Sequence, residues 1–157
     1  MNRKNRIRIE IIEDKIKDII ESINLVEDSL PDNFEDFLSS RIIRDGIYKN
    51  IEFSIESVID ICNIINSDLD LGTPETEDSI IDNLDKNRVF NKRVVDLIRE
   101  MKSFRNILVH KYGEINDKQA FETIGEGLKD FELIIKEIKE FLKKVGEVKG
   151  FADTTLD

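Results

Sequence analysis

The 157-residue sequence is poor in the residues that build covalent or metal-held frameworks. It has one cysteine, Cys62, and one histidine, His110. A single cysteine permits no internal disulfide and no CxxC redox or metal site. Together the two supply no set of transition-metal ligands, so neither a metal nor another cofactor is expected. Cys62 lies among Val58, Ile59, Ile61, Ile64 and Ile65, where a free thiol packs as a small hydrophobe. Tryptophan is absent, and the only prolines are Pro31 and Pro74. No apolar run approaches the roughly 20 residues of a membrane span. The start carries Arg3, Lys4, Arg6 and Arg8, but Glu10, Glu13 and Asp14 interrupt any apolar stretch behind them, so no secretory signal is expected. These absences point to a soluble, cytoplasmic protein without a membrane partner.

Isoleucine and charge are what the chain has in quantity. Isoleucine is β-branched and by itself favours strands over helices, but its spacing says otherwise. Ile9, Ile12, Ile16, Ile19, Ile23, Val26 and Leu30 step by threes and fours, the seam of an amphipathic helix. Pro31 ends that helix. Asp32 and Glu35 then have the spacing of a capping box, predicting a long second helix to about Ser67. Its apolar positions are Phe34, Phe37, Leu38, Ile42, Ile47, Ile51, Ile55, Val58, Ile59, Cys62 and Ile65. Gly46 inside it suggests a kink or a close backbone approach.

Residues 67–76 read as a loop, with Gly72 and Pro74 as breakers. A short helix over 77–87 and a longer one from Asn91 to Tyr112 follow, the latter stopped by Gly113 as a C-terminal cap. Asn116 and Gln119 mark the last start. Phe121, Ile124, Leu128, Phe131, Ile135, Ile138, Leu142 and Val145 repeat the three-four spacing. Gly125 and Gly127 suggest tight packing against a neighbour. The expectation is all-α: an antiparallel four-helix bundle with one short extra helix, a single domain over 1–146 and a frayed tail over 147–157.

The net charge is −10, which argues against a broad nucleic-acid-binding surface. The charge is uneven, however. Between Lys86 and Lys118 nine basic residues face four acidic ones, leaving +5 against −15 for the rest. A polyanion should meet the protein there.

Within that segment Met101–Glu114 holds the only histidine and one of the two tyrosines. At about 100° per residue, Arg105 and Tyr112 fall within roughly 20° of one another, and Asn106 and His110 lie side by side. All four gather at the helix end if its last turn loosens. Arginine grips phosphate through two donors and stays charged. Histidine exchanges a proton near neutrality, and Asn106 can orient the imidazole or donate to a phosphoryl oxygen. Lys102 and Lys111 add positive potential for RNA. The same residue types also fit a plainer role: a histidine complementing the helix dipole and an arginine in a structural ion pair.

Arg105-Asn106-Ile107-Leu108-Val109-His110-Lys111-Tyr112 resembles the R-x4-H-x-Y motif of the HEPN superfamily, in its HepT toxin branch, including the asparagine after the arginine. The likeness runs along most of the chain. The segment Ile55-Glu56-Ser57-Val58-Ile59-Asp60-Ile61 is similar to that family's acidic-patterned helix. The resemblance implies a homodimeric, metal-independent endoribonuclease in which Arg105 holds the scissile phosphate and His110 moves a proton. It further implies an MntA-type nucleotidyltransferase antitoxin as partner, attaching AMP to Tyr112 and so blocking the phosphate site. Glu56 and Asp60 would support Arg105 or His110 from behind, or form a solvated acidic stripe. Two other functions compete: a non-catalytic nucleotide-binding or substrate-binding subunit of a nucleotidyltransferase, and a bundle serving only for assembly.

Overall fold

The computed structural model describes residues 7–153, with side chains as far as 146. Arg3, Lys4 and Arg6 at the basic start, and 154–157 of the expected tail, lie outside the described residues. Six α-helices and one 3-10 turn make up the described chain: α1 (Ile9–Ser29), α2 (Phe34–Ser39), α3 (Arg41–Asp68), α4 (Glu77–Lys86), α5 (Lys92–His110), the turn Tyr112–Glu114, and α6 (Asp117–Asp153). The fold is all-α, as the spacing implied.

Burial explains why isoleucine tolerates helices here. Ile12, Ile16, Ile19, Ile23 and Val26 of α1 are buried against a core that draws on α3, α5 and α6. Burying such a side chain is worth about 1.5–3 kcal/mol. Its helix-propensity penalty is at most about 0.7 kcal/mol, so packing wins at every step of the seam. α1 packs mainly on α3, and ion pairs fix the register: Arg8 with Asp68 at 2.9 Å and Lys15 with Asp60 at 3.3 Å. The first residues of α1 thus meet the last of α3, so the two run antiparallel.

The expected long second helix is two helices. Ser40 is extended (φ −109°, ψ 95°) and separates α2 from α3. The cap is Asn33, whose side chain accepts from the Asp36 N–H at 2.9 Å, in place of the Asp32 and Glu35 pair. The break also resets the phase, which leaves Ile42 88% exposed while Phe37 is fully buried. Phe37 packs with Tyr48 and Phe121, closing the end where α2, α3 and α6 come together.

Gly46, Gly125 and Gly127 crowd nothing. A methyl group at Gly46, Gly125 or Gly127 would meet open space, so the tight approaches expected there are not made. Beyond Gly146 the helix continues to Asp153. Gly72 is the one with a conformational reason, at φ 140° in the loop before α4. Its carbonyl accepts from Asn66 Nδ2 at 3.0 Å, and Asn66 Oδ1 accepts from Asn83 Nδ2 at 3.0 Å. Asn66 is completely buried. Through it α3 fixes both the loop and α4, and hence where the first turn of α4 lies against α5.

Candidate active site

α5 begins at Asn91, whose side chain accepts from the Val94 N–H at 2.9 Å. Val94, Val95, Leu97, Ile98 and Leu108 bury one face, and the opposite face carries the charged residues. The helix ends at His110, two residues before the expected end. Lys111 caps it through its N–H to the Ile107 carbonyl at 3.0 Å, and Glu114 N–H bonds the Lys111 carbonyl at 2.8 Å. Gly113 does not take the left-handed conformation of a helix-ending glycine. It lies inside the 3-10 turn with Tyr112.

His110, Lys111 and Tyr112 are exposed, Tyr112 at 50%. The Tyr112 phenol pKa is raised, first by hydrogen bonding to Asp45 and then by burial, while Arg41 and Arg44 act to lower it. The tyrosine therefore belongs to the surface at the start of α3. Asp117, just beyond the turn, is tied to the same place. It accepts from Tyr48 Oη at 2.6 Å and lies 3.8 Å from Arg44 Nε. Among the described residues no hydrogen bond joins Arg105 to His110 or to Tyr112.

Arg105 is held elsewhere. Its Nε donates to Asn106 Oδ1 at 3.1 Å, one of its terminal nitrogens bonds Glu77, and the other lies 3.9 Å from Glu56 Oε1. The Arg105 side chain is only 11% exposed. The Asn106 side chain thus bonds the arginine beside it, and no bond to His110 is made among the described residues. Of the two carboxylates read as supporting residues, Glu56 lies 3.9 Å from Arg105 and Asp60 has a different partner. One turn along α3, Asp60 is rotated toward α1 and pairs with Lys15. Lys102 is also taken, by Asp78 at 2.8 Å, whereas Lys111 makes no ion pair among the described residues.

These contacts are rungs of a ladder. The acidic face of α4 lies antiparallel to the basic face of α5, with Glu77 on Arg105, Asp78 on Lys102 at 2.8 Å, Asp82 on Arg99 at 2.6 Å and Asp85 on Lys92 at 3.6 Å. Four of the nine basic residues in the +5 segment, Lys92, Arg99, Lys102 and Arg105, are therefore paired from within. Glu77 and Asp78 were not singled out from the sequence. Their signal was the charge opposition between two consecutive short-linked helices, which becomes pairwise once the helices are set antiparallel.

Two openings lie away from the motif. A groove of about 720 Å³ runs between α1 and α6, and a cavity of about 180 Å³ is lined by Met101 and Phe104 among others. Arg105, His110 and Tyr112 line neither. Cys62 is buried, which pushes its thiol up to about 12, consistent with a core role. Among the described residues no three His, Cys, Asp or Glu side chains come together as metal ligands, and no helix is long and apolar enough to cross a membrane.

Set beside known proteins, the arrangement has clear relatives. The ribonuclease HepT-like family profile matches residues 19–138. The curated mRNA nuclease HepT of Shewanella oneidensis is 30% identical over 130 residues, spanning 83% of this chain and 97% of that protein. This chain belongs to the HepT-like ribonuclease family. A tRNA nuclease HepT of Aphanizomenon flos-aquae is 26% identical over 113 residues, covering 70% of this chain and 75% of that protein. Among solved structures, the tri-AMPylated Shewanella oneidensis HEPN toxin in complex with MNT antitoxin superposes with a TM-score of 0.76. It has 30% identity and covers 83% of this chain and 97% of that one. YutE of Bacillus subtilis matches with a TM-score of 0.74 at 17% identity over 88% of this chain and 92% of its own, a likeness of fold alone. Within this HepT-like chain, Arg105, Asn106, His110 and Tyr112 carry the R-x4-H-x-Y motif across the junction of α5 and the 3-10 turn.

Proposed function

We propose that this HepT-like chain is a metal-independent endoribonuclease, the toxin of a toxin–antitoxin pair, acting as a homodimer and silenced when an MntA-type nucleotidyltransferase attaches AMP to Tyr112. The observation that carries the reading is the motif at a solvent-facing helix end, in a chain that aligns with almost the whole length of an mRNA nuclease. In the reaction the ribose 2′-oxygen attacks phosphorus, a new O–P bond forms and the 5′-oxygen leaves. Arg105 bears the extra charge of the transition state, and His110 relays the proton that must leave the 2′-hydroxyl or reach the departing oxygen. Exposed Tyr112 suits the acceptor role, since its hydroxyl reaches solvent without unfolding. Its phosphoryl group would add negative charge beside the site and repel RNA.

The homodimer answers a gap within one chain. His110 and Arg105 share no hydrogen bond, so a second copy is the natural source of the missing partner. Ile107 and Val109, 41% and 40% exposed within the motif, offer apolar surface for it. The test is cleavage of RNA by purified protein with EDTA present. Arg105→Ala and His110→Ala, verified as folded by circular dichroism, should each reduce the rate by 100-fold or more. That is the scale expected when a transition-state donor or a general acid–base group is removed, about 10²–10⁴. Loss of cleavage on adding chelator would reject the metal-free mechanism.

The saturation of Arg105 by Asn106, Glu77 and Glu56 favours a second reading, a non-catalytic subunit that presents Tyr112 to its transferase. Protein that is AMPylated by the transferase yet leaves varied RNAs intact would select it.

A further inference from the structure

Every nitrogen of the Arg105 guanidinium faces a partner of its own chain: Asn106 at Nε, Glu77 and Glu56 at the two ends. Gripping a phosphate takes at least two of those donors. Lys102, three residues earlier and so on the same face of α5, is 16% exposed and bonded to Asp78. The two cations and their three carboxylates sum to −1, a field that repels RNA where the motif would hold it. The first turn of α4 supplies both of the closest carboxylates, and they are consecutive residues.

We infer that Glu77 and Asp78 are intramolecular occupants of two phosphate subsites, filling on Arg105 and Lys102 the places taken by neighbouring phosphates of an RNA strand. The inference rests on the ribonuclease reading for its ligand and adds how that site is kept closed. Opening is a matter of side chains, because α4 cannot leave. Ile80, Ile81 and Leu84 bury its apolar face, and Asn66 ties it to α3 through Asn83. Glu77 and Asp78, by contrast, are 39% and 70% exposed and can swing outward into water. An incoming strand exchanges two carboxylates for two phosphates on the same donors. The cost of parting the ion pairs is offset where RNA contacts are made at both positions, so single phosphates and mononucleotides bind poorly.

The cap of α4 does not depend on these carboxylates. The capping box is made by Thr76 and Ser79, so the double variant Glu77→Gln with Asp78→Asn keeps shape and cap while removing charge. Binding of a fluorescent single-stranded RNA is followed by anisotropy in the cleavage-silent His110→Ala background, with the two substitutions added and omitted. The double variant should bind several-fold more tightly. Its affinity should also fall more steeply with salt, by about 0.7 in the log–log slope for each cation freed. Equal affinity and equal slope would overturn the inference. In the active background the same variant should cleave with a lower KM and an unchanged or higher kcat. A loss confined to kcat would instead make Glu77 a positioning residue for Arg105 and sink the occupant role. Adding Arg105→Ala separates the two levels of argument. If that change leaves RNA binding untouched in the double variant, the phosphate role of Arg105 itself fails. If it abolishes the gain, the occupied-site account stands whether or not the protein proves to be a fast nuclease.

Discussion

Single side chains decide more at the junction of α3 and α6 than anywhere else. Tyr48 is 3% exposed, and its phenol is raised well above the usual tyrosine range, first by burial and then by its hydrogen bond to Asp117. A phenol with a folded-state pKa above its unfolded value of about 10 holds its proton more tightly in the native protein. Its contribution is complete below pH 10 and is lost as pH rises above that point. Urea titrations should therefore show stability falling from about pH 10 upward, a fall that Tyr48→Phe makes shallower. At neutral pH the same variant strips a partner from Asp117 and should cost about 1–3 kcal/mol. At this scale the sequence was readable by residue type and unreadable by partner. Arg105, Asn106, His110 and Tyr112 stood out because their chemistry is rare in the chain. That Arg105 would bind Glu77 depends on how two helices align, which spacing within one helix cannot tell.

Elements were legible where a periodic seam ran unbroken. The seams of α1 and α6 identified their buried faces correctly. The failure came at Ser40, where six residues of helix stop and a new one starts in a different phase. Hydrophobic periodicity cannot register such a slip, since Leu38 and Ile42 still fit the four-residue step although both are exposed. The end of α5 was missed for a related reason. Gly113 invited a cap, but the chain had already tightened to a 3-10 turn at Tyr112. Gly46 offers a clean check on the interior of α3. Its site is open to a methyl group and its backbone is helical, so glycine contributes only flexibility there. Gly46→Ala should raise stability by about 0.5–1 kcal/mol, measured as an increased urea midpoint with an unchanged slope.

At the scale of the whole molecule, the −10 charge and an RNA-directed function are reconciled by the α4–α5 ladder. The ladder pairs Lys92, Arg99, Lys102 and Arg105 within the chain, so in a molecule of net charge −10 long-range attraction for RNA is weak. Assembly enters here. If the second copy completes the site, Val109→Asp should shift the protein from dimer to monomer in sedimentation velocity and abolish cleavage while helix content stays unchanged. A dimer that persists in that variant would move the interface to another face. Exposed apolar residues also occur on α1 (Ile11, Leu25) and on α3 (Ile42, Phe53). Sequence alone could not rank these faces, because exposure is a property of the packed bundle.

The placement of Tyr112 in a three-residue turn, rather than on the shaft of α5, carries a mechanical consequence. A hydroxyl on a continuous helix can be delivered to another enzyme's catalytic cleft only if that cleft accommodates the whole cylinder. A hydroxyl on a tight bend is offered as a fingertip, reachable by a narrow opening while the rod behind it stays intact.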